Sequence, residues 1–110
     1  MSDRTGVVLL IKVKVRAVAN IGKLVAGGAE QEVNVPDGST LADLLHKLAA
    51  DSGEEFRRRL FSDSDEEEDG SVRKDIRLLV NGRDYIFVNG LDSVLEDGDT
   101  VSIMPLMGGG

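Results

Sequence analysis

Apolar and polar positions first alternate with period two. Leu9, Ile11, Val13 and Val15 fall on one side and Leu10, Lys12, Lys14 and Arg16 on the other, which predicts a strand with one buried and one wet face. Residues Ala17 to Ala29 hold Gly22, Gly27 and Gly28 and read as a long turn. A second short strand is expected from Glu30 to Val35, with Val33 and Val35 inward, so the chain opens as a hairpin with an unusually long loop. Pro36-Asp37-Gly38 is a turn signal, and Thr40 with Asp43 has capping-box spacing, Asp replacing the usual Glu or Gln. The period then changes. Leu41, Leu44, Leu45 and Leu48 recur at helical spacing and predict an amphipathic helix closed by Asp51-Ser52-Gly53. A further helical turn over Glu54 to Phe61 would bury Phe56, Leu60 and Phe61.

The stretch Ser62 to Lys74 is acidic and low in complexity, and predicts a mobile loop. Ile76, Leu78 and Val80 alternate into a third strand, and Asn81-Gly82 is a hairpin turn because both residues tolerate positive φ. Tyr85 to Val88 reads as the return strand. Asn89-Gly90 turns again, Leu91 and Leu95 bracket a short helical turn, and Asp97-Gly98 is a tight turn. Thr100 to Pro105 is the last strand, with Val101 and Ile103 inward. Residues 1–7 read as a disordered start, 8–106 as one domain and 107–110 as a flexible glycine tail. One helical stripe and one apolar sheet face are both covered if the helix lies across a mixed sheet, an α+β two-layer arrangement.

Composition narrows the chemistry. At 110 residues the chain is one domain that needs no covalent staple. It has no cysteine, which excludes disulfides, iron–sulfur clusters, thiolate zinc sites and a cysteine nucleophile. The net charge is -7, yet the run Asp63, Asp65, Glu66, Glu67, Glu68 and Asp69 carries six carboxylates, so the rest stands near -1. That balance and an aromatic content of 4% argue against nucleic-acid binding. The longest apolar run, Val7 to Ile11, is far short of the ~20 residues of a membrane helix. With no signal-peptide pattern before it, a cytoplasmic protein is expected.

Catalytic constellations fail one by one. His46, the single histidine, falls on the wet side of the helix beside Ala42. Gly22-Lys23 lacks the Ser or Thr of a phosphate loop, because Leu24 follows. The acidic run, read from Asp65, puts Glu67 where Asp or Asn belongs and Ile76 where a calcium loop has Glu. The end of the sequence differs. The last strand runs almost directly into Gly108, Gly109 and Gly110. Without a Cβ such a tail can thread a narrow channel, and its terminal carboxyl carbon is open to attack. From Met107 it spans about 13–14 Å. A glycine run alone reads equally well as a flexible end; its place immediately after the last strand favours a working tail.

Together the element order, the stretch Leu95-Glu96-Asp97-Gly98-Asp99-Thr100-Val101-Ser102-Ile103-Met104-Pro105 and the closing Gly109-Gly110 resemble the MoaD/ThiS family of ubiquitin-like β-grasp sulfur carriers. The Val80-Asn81-Gly82 hairpin and Pro36-Asp37-Gly38-Ser39-Thr40-Leu41 support the resemblance, which covers roughly residues 8 to 110. It implies a β-grasp of four to five strands with one main helix on one face. It also implies that the carboxylate of Gly110 is adenylated by a partner enzyme using ATP. A sulfur donor then displaces AMP to leave a thiocarboxylate, and an acceptor enzyme takes the sulfur. Within the family the small subunit of molybdopterin synthase is the nearest match, its large subunit being the acceptor. The carrier binds no cofactor and supplies no catalytic residue besides its own end.

In such a fold the first and last strands lie side by side with the third flanking the last. Their wet faces would carry Lys12, Lys14 and Arg16, then Met104 and Leu106, then Arg77 and Leu79. Apolar residues rimmed by charge on a face away from the helix suggest a partner surface, and methionine adapts to more than one partner. For Lys12, Lys14 and Arg16 a merely solvating strand face is equally consistent. A ubiquitin-like modifier joined through Gly110 to lysines of other proteins, and a noncovalent adaptor with an incidental tail, remain as alternative functions.

Overall fold

The computed structural model describes residues 9–61, 72–73 and 75–105. Five strands form one mixed sheet in the order β2-β1-β5-β3-β4. They are β1 (Leu10–Ala17), β2 (Glu30–Pro36), β3 (Ile76–Val80), β4 (Arg83–Asp84) and β5 (Thr100–Pro105). β1 and β5 run parallel; the other neighbours are antiparallel. The first and last strands therefore meet at the centre, with β3 flanking the last, as expected from the sequence. Period-two residues build the inner face: Ile11, Val13, Val15, Val33, Val35, Ile76, Leu78, Val80, Val101 and Ile103 are all buried.

The helical period covers that face. Helix α1 (Leu41–Ser52) buries Leu41, Leu44, Leu45, Leu48 and Ala49. Its capping box is formed: Thr40 Oγ1 accepts the Asp43 N–H at 3.2 Å, and Asp43 Oδ2 accepts the Thr40 N–H at 3.0 Å. Gly53 ends α1 at φ 103°, a left-handed backbone, and lets helix α2 (Glu54–Leu60) start at once. α2 buries Phe56 and Leu60, and Phe61 behind it is buried as well. Val72 bridges to Phe61 and packs on the core, while the Arg73 N–H donates to the Leu60 carbonyl at 2.9 Å. The readings of residues 1–7 as a disordered start, of the rest of 62–74 as a mobile loop, and of 107–110 as a tail lie outside the described residues.

Three local expectations are corrected. Leu9 is not an inward strand residue: it precedes β1 and is 67% exposed, with its carbonyl taken by the Asp37 N–H. The long turn Ala17–Ala29 contains a 3-10 helix, Ala19–Lys23, whose Ile21 is buried along with Val25. Gly22 makes that packing possible, since a Cβ there would lie 2.7 Å from the Ala17 carbonyl oxygen. The return strand is Arg83–Asp84 rather than Tyr85–Val88. Asp84 Oδ1 accepts the Ile86 N–H and turns Tyr85–Phe87 into a 3-10 helix. A third 3-10 turn, Gly90–Asp92, contains Leu91, and Leu95 lies beyond it, buried, its N–H bonded to the Ser39 carbonyl.

Candidate functional site

The outer face of the sheet follows from register. Cross-strand partners align Glu30, Arg16, Ser102, Leu79 and Asp84 in one row across all five strands. Glu32, Lys14 and Thr100 make a second row, and Met104 faces Arg77 in a third. Lys12, Lys14, Arg16 and Arg77 are exposed, while Leu79 and Met104 are half-buried on the same face. Thus six of the expected docking residues do converge. Leu106 lies outside the described residues.

Electrostatically that face is close to balanced. Arg16 pairs with Glu30 at 3.4 Å, Lys12 with Glu32 at 3.8 Å and Arg77 with Asp84 at 3.3 Å. Such exposed pairs contribute about 0–1 kcal/mol each, so their main effect is to cancel charge. The acidic partners went unread in the sequence. The signal was available: Glu30 and Glu32 alternate with the inward Val33 and Val35, which puts them opposite the β1 cations in an antiparallel pairing. What the balanced rim leaves distinctive is the apolar strip of Leu79 and Met104. Beside it, Tyr85 packs against the core, and burial together with the Asp84 carboxylate raises its phenol pKa above the ordinary value of 10.0.

The stretch Leu95 to Pro105 is scaffolding for the central strand. Asp97 Oδ1 accepts the Lys12 N–H at 2.8 Å, and the Gly98 N–H returns a bond to the Lys12 carbonyl. Asp99 accepts from the Glu96 N–H with one oxygen and from Asn81 Nδ2 with the other. Asn81 Oδ1 in turn accepts the Thr100 N–H. These carboxylates are occupied in seating the start of β5 between β1 and β3. At its far end β5 finishes with Pro105 opposite Ile76, while the Val18 N–H donates to the Ile103 carbonyl. β5, the middle strand of the sheet, ends there. Gly108, Gly109 and Gly110 follow and lie outside the described residues.

His46 is exposed and stacks on Phe61, with ring centroids 5.0 Å apart and planes 14° from parallel. Among the described residues no three His, Asp or Glu side chains converge as a metal site would require, and no helix is long and apolar enough to cross a membrane.

Comparison with known proteins fits this geometry. The profile of the ThiS family matches residues 19–110. The chain belongs to the ThiS family. Small archaeal modifier protein 3 of Haloferax volcanii is 36% identical over 76 residues, covering 69% of this chain and 75% of the relative. An Archaeoglobus fulgidus chain, provisionally named a sulfur carrier protein, is 30% identical over 102 residues, 93% of this chain and 100% of its own length. Among solved structures, a Pyrococcus furiosus protein provisionally named molybdopterin converting factor subunit 1 superposes with a TM-score of 0.64 at 33% identity. That match covers 86% of this chain and 97% of the other. As a ThiS-family member the chain is a ubiquitin-like β-grasp protein of the sulfur-carrier and small-archaeal-modifier type.

Proposed function

We propose that this protein carries sulfur as a thiocarboxylate on Gly110 for molybdopterin synthesis. The reading is carried by one observation: the family match runs from residue 19 through Gly110. A carboxylate is a poor acyl donor because oxide is a poor leaving group. In an adenylating partner, a carboxylate oxygen of Gly110 attacks the α-phosphorus of ATP and pyrophosphate leaves. Hydrosulfide supplied by the donor then adds to the acyl carbon, AMP leaves, and a thiocarboxylate results. The acceptor enzyme, here the large subunit of molybdopterin synthase, takes the sulfur into a pterin precursor. Glycine at position 110 leaves the carboxylate unhindered in reaching the α-phosphorus and the acyl carbon open to the sulfur nucleophile. The Pyrococcus relative supports the molybdopterin assignment.

A second reading rests on the 36% identity with small archaeal modifier protein 3. In it the same acyl-adenylate ends as an isopeptide bond to a lysine. Both readings share the activation step, so the test begins there. With the adenylating enzyme of its own cells, Gly110→Ala should melt like the wild type and support ATP–pyrophosphate exchange at least about tenfold more slowly, a loss of about 1.4 kcal/mol in transition-state stabilisation. Undiminished exchange would refute activation at Gly110. A free thiocarboxylate as product supports the carrier, and conjugates on lysine support the modifier.

A further inference from the structure

A second surface lies beside the base of the tail. The 3-10 helix Ala19–Lys23 packs near α2, and between them opens a cleft of about 470 Å³ lined by Asn20, Lys23, Leu24, Glu55, Arg58 and Arg59. Topology puts this cleft where the tail begins. Ala19–Lys23 follows β1 directly, and Asp75, which holds Arg59 at 3.2 Å, directly precedes β3. β5 lies between these two strands and ends at Pro105, opposite Ile76. The five residues from there to Gly110 reach about 17 Å when extended.

The cleft is basic in an acidic protein. Among the described residues its lining carries Lys23, Arg58 and Arg59 against Glu55, and Arg73 joins through the Asp75 that also holds Arg59, while the whole chain carries -7. Asp75 serves two guanidiniums at once, Arg59 at 3.2 Å and Arg73 at 3.3 Å, so a cationic excess remains. Arg59 is held in place, its side chain 27% exposed; Arg58 is braced by Glu54 at 3.3 Å yet 71% exposed, with donors left for a ligand. Leu24 supplies a half-buried apolar wall. The shallow groove on the outer sheet face, by contrast, sets Lys14 and Arg16 against Glu30 and Glu32, two cations to two carboxylates.

We propose that this cleft docks an acidic peptide segment of the enzyme that receives the tail, seating that enzyme on Lys23 and Arg58 beside the point where the chain leaves β5. The proposal rests on the reading that a partner enzyme takes the tail. Charge complementarity and position favour a peptide, and the aromatic platforms that nucleic acid would stack on are missing from the lining.

The test is an amide-resolved NMR titration of the full-length chain with a hexaglutamate peptide, which needs neither the tail nor its chemistry. Saturable shifts centred on Asn20, Lys23, Arg58 and Arg59 are expected. They should weaken about tenfold in Lys23→Glu/Arg58→Glu, with unchanged melting, and weaken in raised salt. Shifts confined to the outer sheet face, or none, would overturn the proposal. So would equal shifts from inorganic phosphate at the same concentration, which would make it a small-anion site, or displacement of the peptide by a single-stranded RNA. Because the titration does not involve Gly110, a failed sulfur-carrier reading leaves its result readable.

Discussion

Single residues show how local chemistry decides where a period ends. Asp84 ends β4 by accepting the Ile86 N–H, and the same carboxylate pairs with Arg77 on the outer face. The apolar run Tyr85 to Val88 has strand-like composition, so nothing in hydropathy alone separated it from a return strand; only the side-chain acceptor just before it did. Leu9 has the parity of the inward residues but lies beyond the first sheet partner, Leu10 with Pro36. Tyr85 supplies a test at this scale. Its raised pKa means that the folded state favours the neutral phenol over the tyrosinate. The stability this contributes is fully present below the unfolded value near 10.0 and is lost as pH rises through the higher folded value. Tyr85 is the one tyrosine and tryptophan is absent, so tyrosinate absorbance reads it directly. A midpoint above that of the unfolded chain is expected, and Tyr85→Phe should flatten the alkaline loss of stability. A midpoint equal in both states would contradict the burial described.

At the level of elements, legibility followed the strength of the period. The four longer strands, β1, β2, β3 and β5, and α1 repeat their pattern and were readable with their faces. The 3-10 helix Ala19–Lys23 was not, because it places only Ile21 inward, while Gly22 within it and Gly27 and Gly28 after it give the segment loop-like composition. The paired Asp97 and Asp99 were readable as a signature by resemblance, but their work in seating β5 emerges only when Lys12 and Asn81 arrive from distant strands. The two faces of the sandwich should respond oppositely to mutation. Leu44→Ala empties a fully buried site and should cost about 2–5 kcal/mol in denaturant unfolding. Met104→Glu places a carboxylate on the outer face opposite Arg77 and should change stability by less than about 0.5 kcal/mol. It should nonetheless weaken binding to the adenylating enzyme, measured by calorimetry. If Met104→Glu unfolds the domain, the assignment of faces along β5 is wrong; if it binds unimpaired, the Leu79–Met104 strip is not the docking surface.

The whole molecule separates folding from chemistry. Among the described residues many charged side chains stand in exposed pairs and turn scaffolds, the one histidine is stacked on Phe61, and no three His, Asp or Glu side chains converge. In this β-grasp the last strand is also the central one, braced on both sides by β1 and β3. That architecture was readable as a whole because each local signal agreed with it: strand parity, helix cap, hairpin turn and final strand. What composition could not convey was the distribution of charge in space, namely a near-neutral outer face and a basic cleft at the tail's base. The central claim concerns the last residue, and an intact mass of the protein purified from its own cells without added reductant tests it most directly. The account predicts a species in which one oxygen is replaced by sulfur, localised by fragmentation to the Gly109-Gly110 end. A chain found only with an unmodified carboxylate, under conditions where its adenylating enzyme and sulfur donor are active, would contradict it.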